Sequence, residues 1–208
     1  MTTLLDERRT SLVSKDDYLR SYAHAALVEG RSVVVVLNGT ATLFYAASQS
    51  TTATTAFAIR HGSGLLRVAL PYARTEHLSI PYMDPSFSTT AERMCVSVDA
   101  ATGITTGISA LDRSRTARIL AAEQSQVSDL VRPGHVMVVA VDDAAEPTTA
   151  SGVALKAASI SGLGAAAVAT ELVSVRYPTE MMDAEEAYHF AATHELAILA
   201  LSSRSNRN

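Results

Sequence analysis

The chain has 208 residues, 48% of them hydrophobic and 18% charged, and a formal net charge of −4. This composition supports one globular domain with a packed core and excludes a disordered chain. An acidic balance lacks the basic face that nucleic acid requires, and with no Trp and only 5% aromatic residues the core must be built from small and branched aliphatic side chains.

Residues 1–13 read as a flexible arm, and the stretch MTTLLDERRT has no apolar centre of the kind a secretion leader carries. The domain is expected over 14–208. Ser14 reads as an N-cap, Asp16 and Asp17 fall in the first helical turn, Tyr18, Tyr22, Ala25 and Ala26 share a face, and Gly30 ends the helix. Val33 to Leu37 is a β-branched run, and Asn38-Gly39 after it predicts a hairpin returning along Thr40 to Ala47. The Ser/Thr/Ala tract 48–59 is expected to hold a helix that ends at Arg60. Gly62 and Gly64 bracket a turn before a strand at Leu65 to Leu70, and Pro71, Pro81 and Pro85 mark a loop-rich middle.

Met94 to Val98 reads as a strand. Its Cys95 is the one cysteine, unable to form an internal disulfide or a thiolate zinc site alone, and fits as a small core residue. Thr105 to Ala122 reads as a helix with hydroxyls at its start. Val136 to Val141 is a strand, followed by a helix near 152–161, a strand near 165–173, a helix at 183–195 and a last strand at Leu196 to Leu201. The apolar stretch Val153 to Val173 is interrupted by Lys156, Gly162, Gly164 and Glu171, which argues against a membrane span. A cytoplasmic protein is the expectation. Interleaved strands and helices without a repeat give the fold class: one α/β domain, a mixed α+β sandwich.

Five places could carry chemistry. From Gly30 through Thr75 there is no Asp or Glu, while Arg31, Arg60, Arg67 and Arg74 all fall there. This is either chance in a Ser/Thr-rich stretch or a pocket wall that prefers an anion or a polarised carbonyl. Arg60-His61-Gly62-Ser63-Gly64 places a cation, an imidazole and a hydroxyl at a turn, where glycines also serve as plain C-caps. Thr105-Thr106-Gly107 offers hydroxyls and free N–H groups ahead of a helix; Asp112, Arg113 and Arg115 follow, with Asp112 and Arg115 also readable as a solvated i,i+3 pair. Arg132-Pro133-Gly134-His135 reads as a tight turn that leads a cation and a His into a strand. Glu171 is a carboxylate late in an apolar strand, and a buried carboxylate needs a reason. His194 at a helix end needs only the dipole.

Four of these segments, in this order, resemble 3,4-dihydroxy-2-butanone 4-phosphate synthase of riboflavin biosynthesis: Arg60 to Gly64, Asp99 to Arg113, Ser128 to Val136, and Thr170-Glu171-Leu172. The resemblance spans nearly the whole chain and implies that family's fold, with a pocket at a homodimer interface. It also implies conversion of ribulose 5-phosphate to formate and a four-carbon ketose phosphate, using magnesium. Two of the family's segments have no counterpart here. The acidic loop after the first strand is replaced by Leu37-Asn38-Gly39-Thr40-Ala41-Thr42-Leu43, and between Val136 and Leu155 there is no Arg, His or Lys to supply the family's phosphate and metal contacts.

The expectation is therefore an enzyme without metal or other cofactor, doing acid–base chemistry next to a carbonyl of a non-phosphorylated small molecule: isomerisation, elimination or cyclisation. Its expected catalytic residues are Glu171, His135, Arg60 and Asp112. Its expected substrate contacts are His61, Ser63, Thr105, Thr106, Arg113, Arg132 and Tyr45, with Leu43, Phe44 and Tyr45 of the hairpin making an apolar entrance. The competing readings are a non-catalytic ligand binder or partner subunit, and retention of the family's own reaction.

Overall fold

Five consecutive aliphatic residues, Val33–Leu37, form β1, and the chain reverses within two residues into β2, Thr40–Ala46. Asn38 and Gly39 both take positive φ, 52° and 84°, the backbone of a type I′ turn whose twist matches the flanking strands. A computed structural model describes residues 15–84 and 91–201, with side chains from Ser21 onward. The arm expected at 1–13 and the N-cap at Ser14 lie outside the described residues.

The remaining elements alternate. After α1 (Lys15–Val28) and the hairpin come α2 (Thr52–His61), β3 (Arg67–Pro71), α3 (Tyr72–His77), β4 (Glu92–Ala100), α4 (Ala110–Ala121), β5 (Leu130–Val141), α5 (Ala150–Ile160), β6 (Ala167–Glu171), α6 (Ala184–Thr193) and β7 (Ala197–Leu201). The strands make one mixed seven-stranded sheet in the order β4-β5-β3-β6-β2-β1-β7. β1 is parallel to β7 and β3 to β5, and the other neighbours are antiparallel. Helices cover both faces, so the central strands are mostly apolar on both faces rather than alternating, with charge only at strand ends such as Arg67 and Glu171. One face buries Val34, Leu43, Val68 and Val138 against Ala58 of α2, Leu120 of α4 and Phe190 of α6. The other buries Val33, Phe44 and Ala169 against Leu27 of α1 and Val153 of α5. Each large side chain sealed this way contributes about 1.5–3 kcal/mol, and the many Ala residues let the helices approach closely. No described helix is long and apolar enough to cross a membrane.

Three sequence expectations change. The proline-marked middle contains α3, which follows β3 directly with Pro71 as its N-cap residue. The helix expected from Thr105 begins at Ala110, because Ser109 accepts the Asp112 N–H as N-cap and leaves 102–107 as a loop. Arg132 to His135 lies within β5, although not in register. Asp99 faces Val131 and the preceding Val98 faces Val136, so four residues of β5 stand opposite a single step of β4. This wide bulge turns His135 out of the ladder, and bulges of this kind commonly re-aim side chains beside functional sites.

Candidate active site

The bulge places His135 against Asp99. The His135 N–H donates to Asp99 Oδ1 at 3.0 Å, and its ring Nδ1 lies 2.7 Å from Asp99 Oδ2. Because a carboxylate only accepts, this contact favours the tautomer of the neutral ring that carries its proton on Nδ1 and has its lone pair on Nε2. The exposures divide the roles: the Asp99 side chain is 7% exposed, that of His135 43%. A buried carboxylate orienting an accessible imidazole is the arrangement of a general base. Gly134 makes the bulge possible, since a methyl group there would collide with the Val98 and Asp99 backbone.

The 102–107 loop closes over this pair. Asp112 Oδ1 accepts the Thr105 N–H at 3.2 Å, while Oδ2 accepts the Thr105 hydroxyl at 2.8 Å and the Gly107 N–H at 3.1 Å. Burial opposes ionisation of Asp112, but these bonds and that from Ser109 outweigh it and hold the carboxyl below its ordinary value. Arg115 donates to the Thr102 carbonyl at 2.8 Å at the other end of the loop. The solvated Asp112–Arg115 pair is therefore corrected: Asp112 is buried and each residue serves the loop. Arg113, half-buried, faces Tyr45 and Asp99; burial draws its pKa down, and those two groups oppose the shift.

Glu171 ends β6 and forms an ion pair with Arg67, the first residue of β3. Burial draws the Arg67 pKa down, opposed by the Glu92 carboxylate, yet an arginine stays charged at neutral pH. The guanidinium thus already neutralises Glu171. The family resemblance implies magnesium, which takes hard oxygen ligands, chiefly carboxylates. Among the described residues no group of three or more His, Cys, Asp or Glu is placed to hold a metal ion. The hairpin turn Asn38-Gly39 brings no carboxylate to Glu171. The donor set present does not fit magnesium.

The other expected site residues have varied surroundings. Arg60 is exposed in the last turn of α2. His61 sits in a ring cluster with Phe57, Phe190 and His194, so His194 has neighbours besides the helix dipole. Ser63 is exposed, its N–H donating to the Glu171 carbonyl, and Thr106 is exposed beside Gly107. Arg132 is turned inward, donating to the Leu78 and Leu130 carbonyls, and so ties β5 to the end of α3. Leu43, Phe44 and Tyr45, expected at an entrance, are core residues at most 2% exposed; the Tyr45 hydroxyl meets Thr55 Oγ1 at 3.1 Å. The proposed cationic wall also dissolves. Arg31 pairs with Glu29, Arg67 with Glu171, and Arg74 donates to the Leu120, Ala122 and Glu123 carbonyls in and just after the last turn of α4. Arg67, expected in an anion-preferring wall, is instead the partner of Glu171, and Asp99 was missed as a site residue. Its available signal was a charge near the buried end of a strand, where burial demands a partner.

The model of the 3,4-dihydroxy-2-butanone 4-phosphate synthase family matches residues 21–203. The riboflavin biosynthesis protein RibBA of Nocardia farcinica is 35% identical over 190 residues, covering 86% of this chain but 45% of that relative, so the chain spans a little under half the relative's length. The 3,4-dihydroxy-2-butanone 4-phosphate synthase of Cronobacter sakazakii is 32% identical over 86% of this chain and 85% of its own. Among solved structures, the Candida albicans synthase superposes with a TM-score of 0.79 at 28% identity, over 86% of this chain and 92% of that one. A synthase in complex with two magnesium ions gives 0.77 at 30% identity, over 86% and 90%.

Proposed function

The chain belongs to the 3,4-dihydroxy-2-butanone 4-phosphate synthase family, and from that premise we propose a metal-independent enzyme that moves a proton at the carbon next to a carbonyl of a non-phosphorylated small molecule. The observation that carries this reading is the Asp99–His135 pair. Nε2 of His135 takes the proton from the substrate carbon, and Asp99, dry and fixed by two bonds from the same residue, stabilises the imidazolium that results. The loop hydroxyl of Thr106 is exposed nearby for a substrate oxygen. Return of the proton at a neighbouring atom completes an isomerisation, and loss of a leaving group completes an elimination. Glu171 is a poor base while Arg67 neutralises it, so the chemistry centres on His135. As in the family resemblance, the pocket is taken to lie between two copies of the chain.

The test follows a carbon-bound proton rather than a product. Incubation in D₂O with a panel of ketoses and α-hydroxyketones, read by NMR, should show deuterium entering next to the carbonyl. Chelator should not slow the exchange, and His135→Gln should abolish it. Magnesium-dependent release of formate from ribulose 5-phosphate would instead establish that the family reaction is retained.

A second reading, a non-catalytic binder or partner subunit, is favoured by one specific observation. Several polar groups that resemble family motifs already have partners inside the chain: Glu171 with Arg67, Asp112 with Thr105 and Gly107, and Arg132 with Leu78. Absence of exchange on every carbonyl compound, with stoichiometric binding of one of them by calorimetry, would support it.

A further inference from the structure

We infer that Asp112 is a positioning residue for His135, acting through the 105–107 loop. The inference rests on His135 being the base of the proposed function, and its mechanical part can be measured without turnover. Three loop donors, two from Thr105 and one from Gly107, converge on this one carboxylate. The loop's last residue, Gly107, has φ +86° and lies against the pair it covers. A methyl group on it would fall onto the Asp99 carboxylate and stand 2.7 Å from His135 Nδ1. Only bare backbone fits there, so the loop approaches the Asp99–His135 bond as closely as a chain can.

That contact explains the unequal exposure of the pair. Gly107 is itself buried and shields the carboxylate side, while the ring's far edge stays open. A hydrogen bond to a charged group holds its geometry when water is kept from competing for the acceptor. If the bonds to Asp112 open, Gly107 lifts, water reaches Asp99, and the hold on the Nδ1 proton weakens. The imidazole then samples the other tautomer, in which Nε2 is a donor and cannot act as base.

Asp112→Asn keeps one acceptor oxygen but sets an amide N–H₂ against the Gly107 N–H. Thr105→Val removes one bond only, at an exposed residue. In the full chain with ¹⁵N-labelled histidine, the wild type should show His135 as the Nδ1–H tautomer. Asp112→Asn should show a mixture, with Thr105→Val shifted the same way by less. Proton-exchange turnover should fall about 10- to 100-fold in Asp112→Asn, the equivalent of one charge-assisted hydrogen bond. Asp183→Asn, which removes the carboxylate that caps α6 through the Glu186 N–H, controls for general loss of stability and should leave the tautomer unchanged. If Asp112→Asn does not fold, Thr105→Val decides. A single Nδ1–H tautomer in the folded variants, or an equal shift in Asp183→Asn, overturns the inference. Complete absence of turnover in wild type would remove the assignment of His135 as base and leave the tautomer result standing by itself.

Discussion

His61 lies among Phe57, Phe190 and His194 with ring centroids 4.4, 5.6 and 4.7 Å away. Burial lowers its pKa from the ordinary 6.5, and His194 and Arg60 add repulsion in the same direction. The unfolded chain therefore binds a proton at a pH where the folded chain still refuses it. Stability is complete above pH 6.5 and declines as the pH falls from there towards the lowered folded value. Urea midpoints measured between pH 7.5 and 5.5 should fall on acidification, and His61→Phe should reduce the slope. An unchanged slope would mean that other histidines carry the effect. This residue was expected to touch substrate; the structure instead shows it half-buried in a ring cluster drawn from α2 and from α6 with its C-cap residue His194, a grouping that no local motif announces.

At the scale of elements, two glycines serve opposite purposes and should respond differently to the same substitution. Gly39 closes the β1–β2 hairpin with φ +84° and has open space where a side chain would go. Gly39→Ala meets only the left-handed backbone penalty and should cost about 1 kcal/mol. Gly134 carries no positive φ, yet an added methyl would strike the β4 backbone at Val98 and Asp99. Gly134→Ala must push two strands apart and should cost about 3 kcal/mol, measured by urea unfolding. Equal costs would mean that the bulge tolerates displacement. The hairpin was legible because Asn-Gly dictates its own turn. The bulge was not, because its geometry arises from how β4 and β5 meet, 36 residues apart at Asp99 and His135. Helix α3 was hidden for a similar reason: its six residues are too few for a periodic pattern, and the surrounding prolines read as loop.

For the whole molecule, the alternation of strands and helices was legible because strands buried on both faces must be apolar runs, and such runs stand out in a sequence. The site was legible in its residue types and much less in its contacts. His135 and Thr105 could be singled out, but which carboxylate meets which cation depends on sheet order. The order β5-β3-β6 sets Arg67 beside Glu171, strands drawn from distant parts of the chain. That pairing leads to a global prediction. A ligand that binds only the folded chain at a hundred times its dissociation constant stabilises by about 2.7 kcal/mol. In a chain of this size such a gain raises the melting temperature by roughly 5–10 °C. A family site loaded with magnesium would show that increment. Here Arg67 already neutralises Glu171, and the melting temperature in millimolar magnesium chloride should match that in sodium chloride of equal ionic strength. Arg67→Met should lower the melting temperature by exposing an uncompensated carboxylate, and magnesium should not restore it, because one carboxylate is too few ligands. A magnesium-specific rise of several degrees in the unmodified chain would show that a metal site is assembled from residues other than those grouped around Glu171.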